Sequence, residues 1–213
     1  MGRVQLLKLS CGRRNGFVVR VRSGPYSLRS VVEDQQVSVP EGAEYLEVEA
    51  FFNPPESCSY SFLIQSPTTP ILYVEGRALE TARIERGYET RSIRLSRGSF
   101  YRVKIELPHP VPGSRISLWV SYLDLIEPAV CRCYAPSSPY ITLLSVPNGA
   151  SVELVNIGVI ARGSGRGGLA QVDVSHLKQP IRCRLVINGV EVAELVEAWG
   201  GDVYSIGLRS LEG

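Results

Sequence analysis

Histidine is almost missing from this chain: 213 residues contain only His109 and His176, and methionine occurs only at position 1. Imidazole is the commonest general base, so its scarcity removes most routes to acid–base or nucleophilic catalysis. Long apolar runs are also absent. Nothing approaches the roughly 18 residues of a membrane-spanning helix, and residues 1–10 (MGRVQLLKLS) alternate instead of forming the apolar stretch of a secretory leader. Gly2 is followed by Leu6 where an N-acylation signal has Ser or Thr. The expectation is a chain with neither signal peptide nor transmembrane segment, placed in a virion or in a cytoplasmic assembly. An excess of one charge is lacking too. A formal net charge of +2 gives no strong field, and neither nucleic acid nor membrane is expected as a partner.

Helical periodicity is likewise hard to find, and what replaces it is alternation. Segments 45–51 (YLEVEAF), 100–107 (FYRVKIEL) and 114–122 (SRISLWVSY) place apolar residues two apart, the period of a half-buried strand. Strands are expected over 4–10, 17–22, 36–39, 45–51, 59–65, 71–74, 81–84, 90–95, 100–107 and 115–125. Between them stand turn-forming groups such as Ser23-Gly24-Pro25, Asn53-Pro54-Pro55 and Arg97-Gly98. The fold class expected is all-β, with an N-terminal jelly-roll-like β-sandwich over 1–126 followed by a smaller β-sandwich over 140–213. Residues 127–139 (EPAVCRCYAPSSP) carry neither period and read as a Pro/Ser linker. The second domain is expected to hold strands over 140–145, 151–155, 159–162, 168–174, 181–187, 190–195 and 203–208. Asn188-Gly189 is its strongest hairpin signal, because both residues tolerate the positive φ of a type I′ turn.

Arginine outnumbers lysine 20 to 3 and glutamate outnumbers aspartate 17 to 4, with few labile amides. That balance suits a heat-adapted source, in which ion-pair networks gain value as charge desolvation becomes cheaper. Five cysteines, Cys11, Cys58, Cys131, Cys133 and Cys183, leave an odd thiol if any pair. A bridge between Cys11 and Cys58 is the expected pairing. Cys131 and Cys133 form C-x-C, half of a zinc site, but no second pair of ligands has matching spacing, so no metal and no cofactor is expected.

Candidate chemistry is thin. Asp173 and Ser175 precede His176, yet the group lacks the strand–turn–helix setting of a nucleophile elbow and reads as a turn. Gly163 to Gly168 (GSGRGG) lacks the Gly-Lys-Ser/Thr ending of a phosphate loop and precedes a strand. Glu47 and Glu49 alternate with apolar neighbours and form a solvated strand face. Glu191, Glu194 and Glu197 have helical spacing, but the Asn-Gly turn before them favours a strand. No catalytic residue is nominated. Trp119, between Leu118 and Val120, reads as core. Trp199 stands before Gly200-Gly201, where an exposed ring is plausible; together with Tyr134 and Tyr140 it makes a possible ligand or partner surface.

One family resemblance is present. Val146-Pro147-Asn148-Gly149-Ala150-Ser151 leads into a strand, and Gly167-Gly168-Leu169-Ala170 opens a second one at a fitting distance. This C-terminal third resembles the carboxypeptidase-regulatory-like or PEGA-type β-sandwich modules of prokaryotic surface and virion proteins, with Asn148 where the PEGA pattern has Glu. The resemblance implies a non-catalytic spacer or display module. The function expected is that of a non-enzymatic structural or assembly protein, a virion component such as a capsid, tail or fibre protein of a virus of a thermophilic prokaryote. Self-association or pairing with other structural proteins is expected, with strand 4–10 as a possible donor. The alternative is a carbohydrate-binding or adhesive module, with polysaccharide as its ligand.

Overall fold

A computed structural model describes residues 3–134 and 138–209, and all of the regular structure among them is strand. The chain folds as two compact β units. The terminal unit comprises residues 3–13 and 138–209, and the inserted unit comprises residues 14–134.

Strand β1 (Arg3–Ser10) opens the terminal unit. The inserted unit follows with β2 (Arg13–Asn15), β3 (Phe17–Ser23), β4 (Tyr26–Val32), β5 (Gln36–Ser38), β6 (Tyr45–Phe52), β7 (Cys58–Gln65) and β8 (Ile71–Val74). It continues through β9 (Arg77–Leu79), β10 (Thr81–Ile84), β11 (Gly87–Thr90), β12 (Ile93–Leu95), β13 (Tyr101–Leu107), β14 (Arg115–Tyr122), β15 (Leu125–Pro128) and β16 (Cys131–Tyr134). The chain then returns with β17 (Tyr140–Leu144), β18 (Ser151–Val155), β19 (Val159–Ser164), β20 (Leu169–Asp173), β21 (Ile181–Ile187), β22 (Val190–Ala198) and β23 (Val203–Arg209).

The inserted unit is a sandwich of two antiparallel sheets. One has the order β10-β11-β7-β14-β15, with β5 and β12 attached; the other has the order β2-β16-β6-β13-β8-β9, with β3 and β4 attached. Alternation explains the packing. Leu46, Val48 and Ala50 of β6 and Val103, Ile105 and Leu107 of β13 face inward. They meet Tyr60, Phe62 and Ile64 of β7 and Ile116, Leu118 and Val120 of β14. Phe52 sits edge-on to Tyr60 and to Phe62, each at 5.6 Å between ring centroids. Each buried side chain of this size contributes about 1.5–3 kcal/mol of transfer free energy, which is why the period of two sets the register so firmly. The outer face of the second sheet is covered by ion pairs, Arg20 with Glu47, Arg102 with Glu49 and Lys104 with Glu106.

The terminal unit packs the sheet β1-β23-β17-β20 on the sheet β19-β18-β21-β22, over a core of Ile141, Leu143, Val152, Leu154, Val172 and Leu185. Asn188 and Gly189 both have positive φ, 50° and 78°, and join Ile187 to its partner Val190 as the expected two-residue hairpin. Glu191, Glu194 and Glu197 lie on strand β22. The unit is discontinuous in sequence. Its first strand, β1, pairs antiparallel with its last, β23, from Arg3 opposite Arg209 to Ser10 opposite Val203.

Asp202 fastens that closure. Its carboxylate is fully buried. Oδ2 accepts hydrogen bonds from Lys8 Nζ at 2.7 Å, the Trp199 amide at 2.9 Å and the Tyr204 hydroxyl at 3.0 Å. Oδ1 accepts from the Gly12 amide at 2.7 Å. Gly12 lies against the Gly200–Gly201 backbone so closely that a Cβ there would meet Gly200 O at 2.0 Å, which only glycine avoids.

Four sequence expectations change. Residues 127–134 are not linker: they supply the end of β15 and the whole of β16, which pairs with β6. Pro128 is accommodated because β15 is a sheet edge, where a missing N–H leaves no ladder bond unmade. Residues 3–13 belong with the C-terminal strands and not with 14–134. Strand β4 was not expected; only Val32 at its end packs against the core, and it pairs only with β3. The expected strand over 90–95 is divided into β11 and β12.

Replacing Asp202 with Ala strips the acceptor from two amides and a phenol that water does not reach. The expected loss is about 3 kcal/mol or more in the unfolding of the terminal unit. Each unit carries one tryptophan, so Trp199 fluorescence in a Trp119→Phe background follows this unit alone in a denaturant titration. An unchanged midpoint would contradict the role given to Asp202.

Candidate functional site

A two-residue period runs through β14 and decides what each side chain can do. Ile116, Leu118, Val120 and Tyr122 point into the sandwich, so Ser117, Trp119 and Ser121 point out. Trp119 is therefore not a core residue, as its apolar neighbours had suggested. It is half-buried on the outer face of the β10-β11-β7-β14-β15 sheet. The register sets Trp119 opposite Leu63 of β7 on one side and Pro128 of β15 on the other. Glu89 of β11 stands opposite Leu63, and Ile126 of β15 stands opposite Ser121.

The indole is held by a short relay. Trp119 Nε1 donates to Ser117 Oγ at 3.1 Å, and Ser117 Oγ donates to Gln65 Oε1 at 2.7 Å. Ser117 is buried, so this relay is sheltered while the ring itself remains half-open. The ring borders a hollow of about 330 Å³ lined by Leu63, Gln65, Ile84, Arg86, Trp119 and Ile126, with Glu85 and Tyr88 also at its edge. Ile126 is 67% exposed. A second hollow of about 360 Å³ shares Gln65, Ile84, Glu85, Arg86 and Tyr88 with the first and adds Arg83 and Arg115. The β10–β11 hairpin builds the wall common to both, where Ile84 pairs with Gly87. Gly87 has φ 140°, and a Cβ there would meet Ile64 O at 2.2 Å, so glycine is required for the hairpin to close on β7. An aromatic floor next to polar and guanidinium groups is an arrangement that takes a ligand with one apolar face and a polar rim.

The residues nominated from sequence fall elsewhere. Trp199 is 0% exposed: its amide bonds Asp202 and its Nε1 donates to Glu197 Oε1 at 3.2 Å. The Gly200-Gly201 pair after it, which suggested an exposed loop, is the tight turn that buries the ring. Tyr134 is buried in β16 of the inserted unit. Tyr140, 38% exposed at the start of β17, is the only one of the three open to solvent. With Trp199 and Tyr134 buried, the three do not form an exposed aromatic set, and the two tryptophans exchange the roles that sequence reading assigned. The signal that locates Trp119 is the pair of serines at 117 and 121, which share its face.

Cys11 and Cys58 lie in different units and are not joined by a disulfide. Among the described residues no cluster of His, Cys, Asp and Glu is placed to hold a metal. Cys131 and Cys133 are buried, and loss of solvation pushes both thiols up to about 12; burial raises Cys183 to about 11. They are kept as neutral thiols. Asp173 accepts from the Ser175 amide at 2.8 Å, and hydrogen bonds from Ser175 hold its carboxyl below the usual range. His176 Nε2 lies 3.1 Å from Ile160 O. Asp173 and Ser175 are thus engaged in a turn, and the His176 ring is engaged with the Ile160 carbonyl.

No family model matches the chain, and neither does any curated protein. Among solved structures, the beta-glucosidase of Kluyveromyces marxianus in complex with glucose is similar with a TM-score of 0.39 and 19% identity, over 51% of this chain and 16% of that one. The alpha-xylosidase of Xanthomonas citri gives 0.42 and 14%, over 62% and 19%. An anti-sigma factor domain-containing protein from Clostridium clariflavum gives 0.43 and 12%, over 92% of this chain and 100% of that one. The chain thus spans less than a fifth of either glycosidase. What the Trp119 groove can do follows from its own residues.

The thiols give a direct check on these environments. In the native protein at pH 8, a thiol reagent is expected to modify exposed Cys11 first and partly buried Cys58 more slowly, with Cys131, Cys133 and Cys183 reacting only in denaturant. Rapid modification of all five under native conditions would contradict the burial described.

Proposed function

We propose that the chain is a non-enzymatic carbohydrate-binding or adhesive β-sandwich module, with its ligand groove on the outer face of the β10-β11-β7-β14-β15 sheet. The observation that carries this reading is the half-buried Trp119 ring, held in place through Ser117 and Gln65 before any ligand arrives. A pyranose ring presents one face of C–H groups, which an indole covers, and a rim of hydroxyls, which planar polar side chains bond. Gln65, Glu85 and Arg86 supply such groups at the edge of the same hollow. A ring already fixed loses little freedom on binding, so more of the contact energy appears as affinity. Stacking on an aromatic ring is worth about 0.5–1.5 kcal/mol beyond area burial, which fits weak single-site binding strengthened by multivalency.

A second reading, a structural protein that associates with its own copies as in a virion shell or fibre, is favoured by β4. This edge strand carries Tyr26 at 78% and Leu28 at 66% exposure, both on the face turned toward the sandwich interior. Unpaired backbone beside uncovered apolar groups invites strand addition. Leu28→Lys is then expected to shift any oligomer toward monomer in light scattering, with Trp119→Ala leaving it unchanged.

For the binding reading, Trp119→Ala is expected to remove retardation in affinity gels containing polysaccharides, and Tyr140→Ala to leave it unchanged. Ligand should alter tryptophan fluorescence in Trp199→Phe protein and not in Trp119→Phe protein. Absence of binding across a broad glycan panel would overturn the reading.

A further inference from the structure

We infer that the ligand of the Trp119 groove is an anionic sugar, carrying a carboxylate or sulfate on or beside the ring that stacks on the indole; this rests on the binding-module reading above. The two adjoining hollows share Arg86 as a common wall. The one nearer the β10–β11 turn is lined by three guanidinium groups, Arg83, Arg86 and Arg115, against the single carboxylate of Glu85.

These arginines differ from those on the opposite sheet. Arg20 and Arg102 are matched to Glu47 and Glu49 at 3.1 Å and 2.6 Å. Among the described residues, Arg83 and Arg86 have no carboxylate partner, and Arg115 meets only the neutral Gln36 amide oxygen, at 3.4 Å. Three like charges gathered beside a single carboxylate repel one another, and an anion placed among them relieves that repulsion. The guanidinium fork matches a carboxylate or sulfate bidentately, which a neutral hydroxyl does not satisfy. Continuity of the hollows gives the two contacts to one ligand: the sugar face lies on Trp119 and Leu63, and the acidic substituent points past Arg86 toward Arg83 and Arg115. Gln65, at the junction, is oriented by Ser117 and is available to a ring hydroxyl.

The test compares binding of the full chain to polygalacturonate, to the same polymer with its carboxylates reduced to alcohols, to dextran sulfate and to plain dextran, at low and moderate salt. The variants are Trp119→Ala and the double variant Arg83→Gln with Arg86→Gln, both at solvent-facing positions, with folding checked by circular dichroism. Polygalacturonate is expected to bind, with about a tenfold loss on carboxylate reduction and a similar loss in the double arginine variant, as charge-assisted bonds are removed. Trp119→Ala should weaken the same interaction. Dextran sulfate binding that needs both Trp119 and the arginines would assign the anion as sulfate. Equal binding of the neutral and acidic polymers, still dependent on Trp119, would overturn the anionic assignment while leaving the carbohydrate reading intact. Binding of anionic polymers that survives Trp119→Ala is charge attraction alone and would also overturn it. No binding to any polymer would remove both.

Discussion

The buried carboxylate of Asp202 is the constraint on which the architecture turns. A fully buried charge is costly unless its bonding capacity is met, and here four donors meet it: Lys8 Nζ, the Gly12 and Trp199 amides, and the Tyr204 hydroxyl. Two of the four come from the first thirteen residues and two from the final stretch. The chain therefore spends its beginning and its end on the same unit and threads 14–134 between them. Burial and the adjacent carboxylate push the Tyr204 phenol up, so it remains a donor. The glycines at 12 and 201 follow from the same demand, because backbone must approach backbone to bring the amides onto Asp202.

A filled sandwich leaves little interior for chemistry. In the inserted unit both inner faces are spent on packing, so specificity has to lie on an outer face or in a loop. The two outer faces are treated differently. One carries two cross-strand Arg–Glu pairs and a Lys104–Glu106 pair along β13. The other exposes Trp119, Leu63 and Ile126 beside arginines that form no ion pair among the described residues. Apolar groups and unmatched charges at one place on a surface have a physical cost, and ligand binding is a reason for a fold to bear it.

Much of the fold was legible in the alternation. β6, β7, β13 and β14 lie where period-two segments predict them, because burying one face of a sheet enforces that period. The Asn188-Gly189 hairpin was legible because its backbone requirement is local. β16 was hidden because Cys131, Arg132, Cys133 and Tyr134 are too few to display a period between prolines. β4 was hidden because only its last two residues, Val31 and Val32, are even half-buried, too few to display a period. Trp119 and Trp199 were read the wrong way round for related reasons. Trp119 was weighed by its apolar neighbours in sequence when its true companions on that face are Ser117 and Ser121. Trp199 was weighed by the glycines after it, whose tight turn serves to bury the ring.

The sequence alone determined the fold class, since repeated alternation without a helical period leaves sheets as the only way to bury one face of each segment. It also determined the scarcity of imidazole and the positions where glycine must turn the backbone. Tertiary structure decided which strand neighbours which. That choice placed β1 beside β23, set Trp119 between Leu63 and Pro128, and gathered Arg83, Arg86 and Arg115 from two separate strands and a turn. Such juxtapositions depend on contacts between residues far apart in the chain, and a local period carries no information about them.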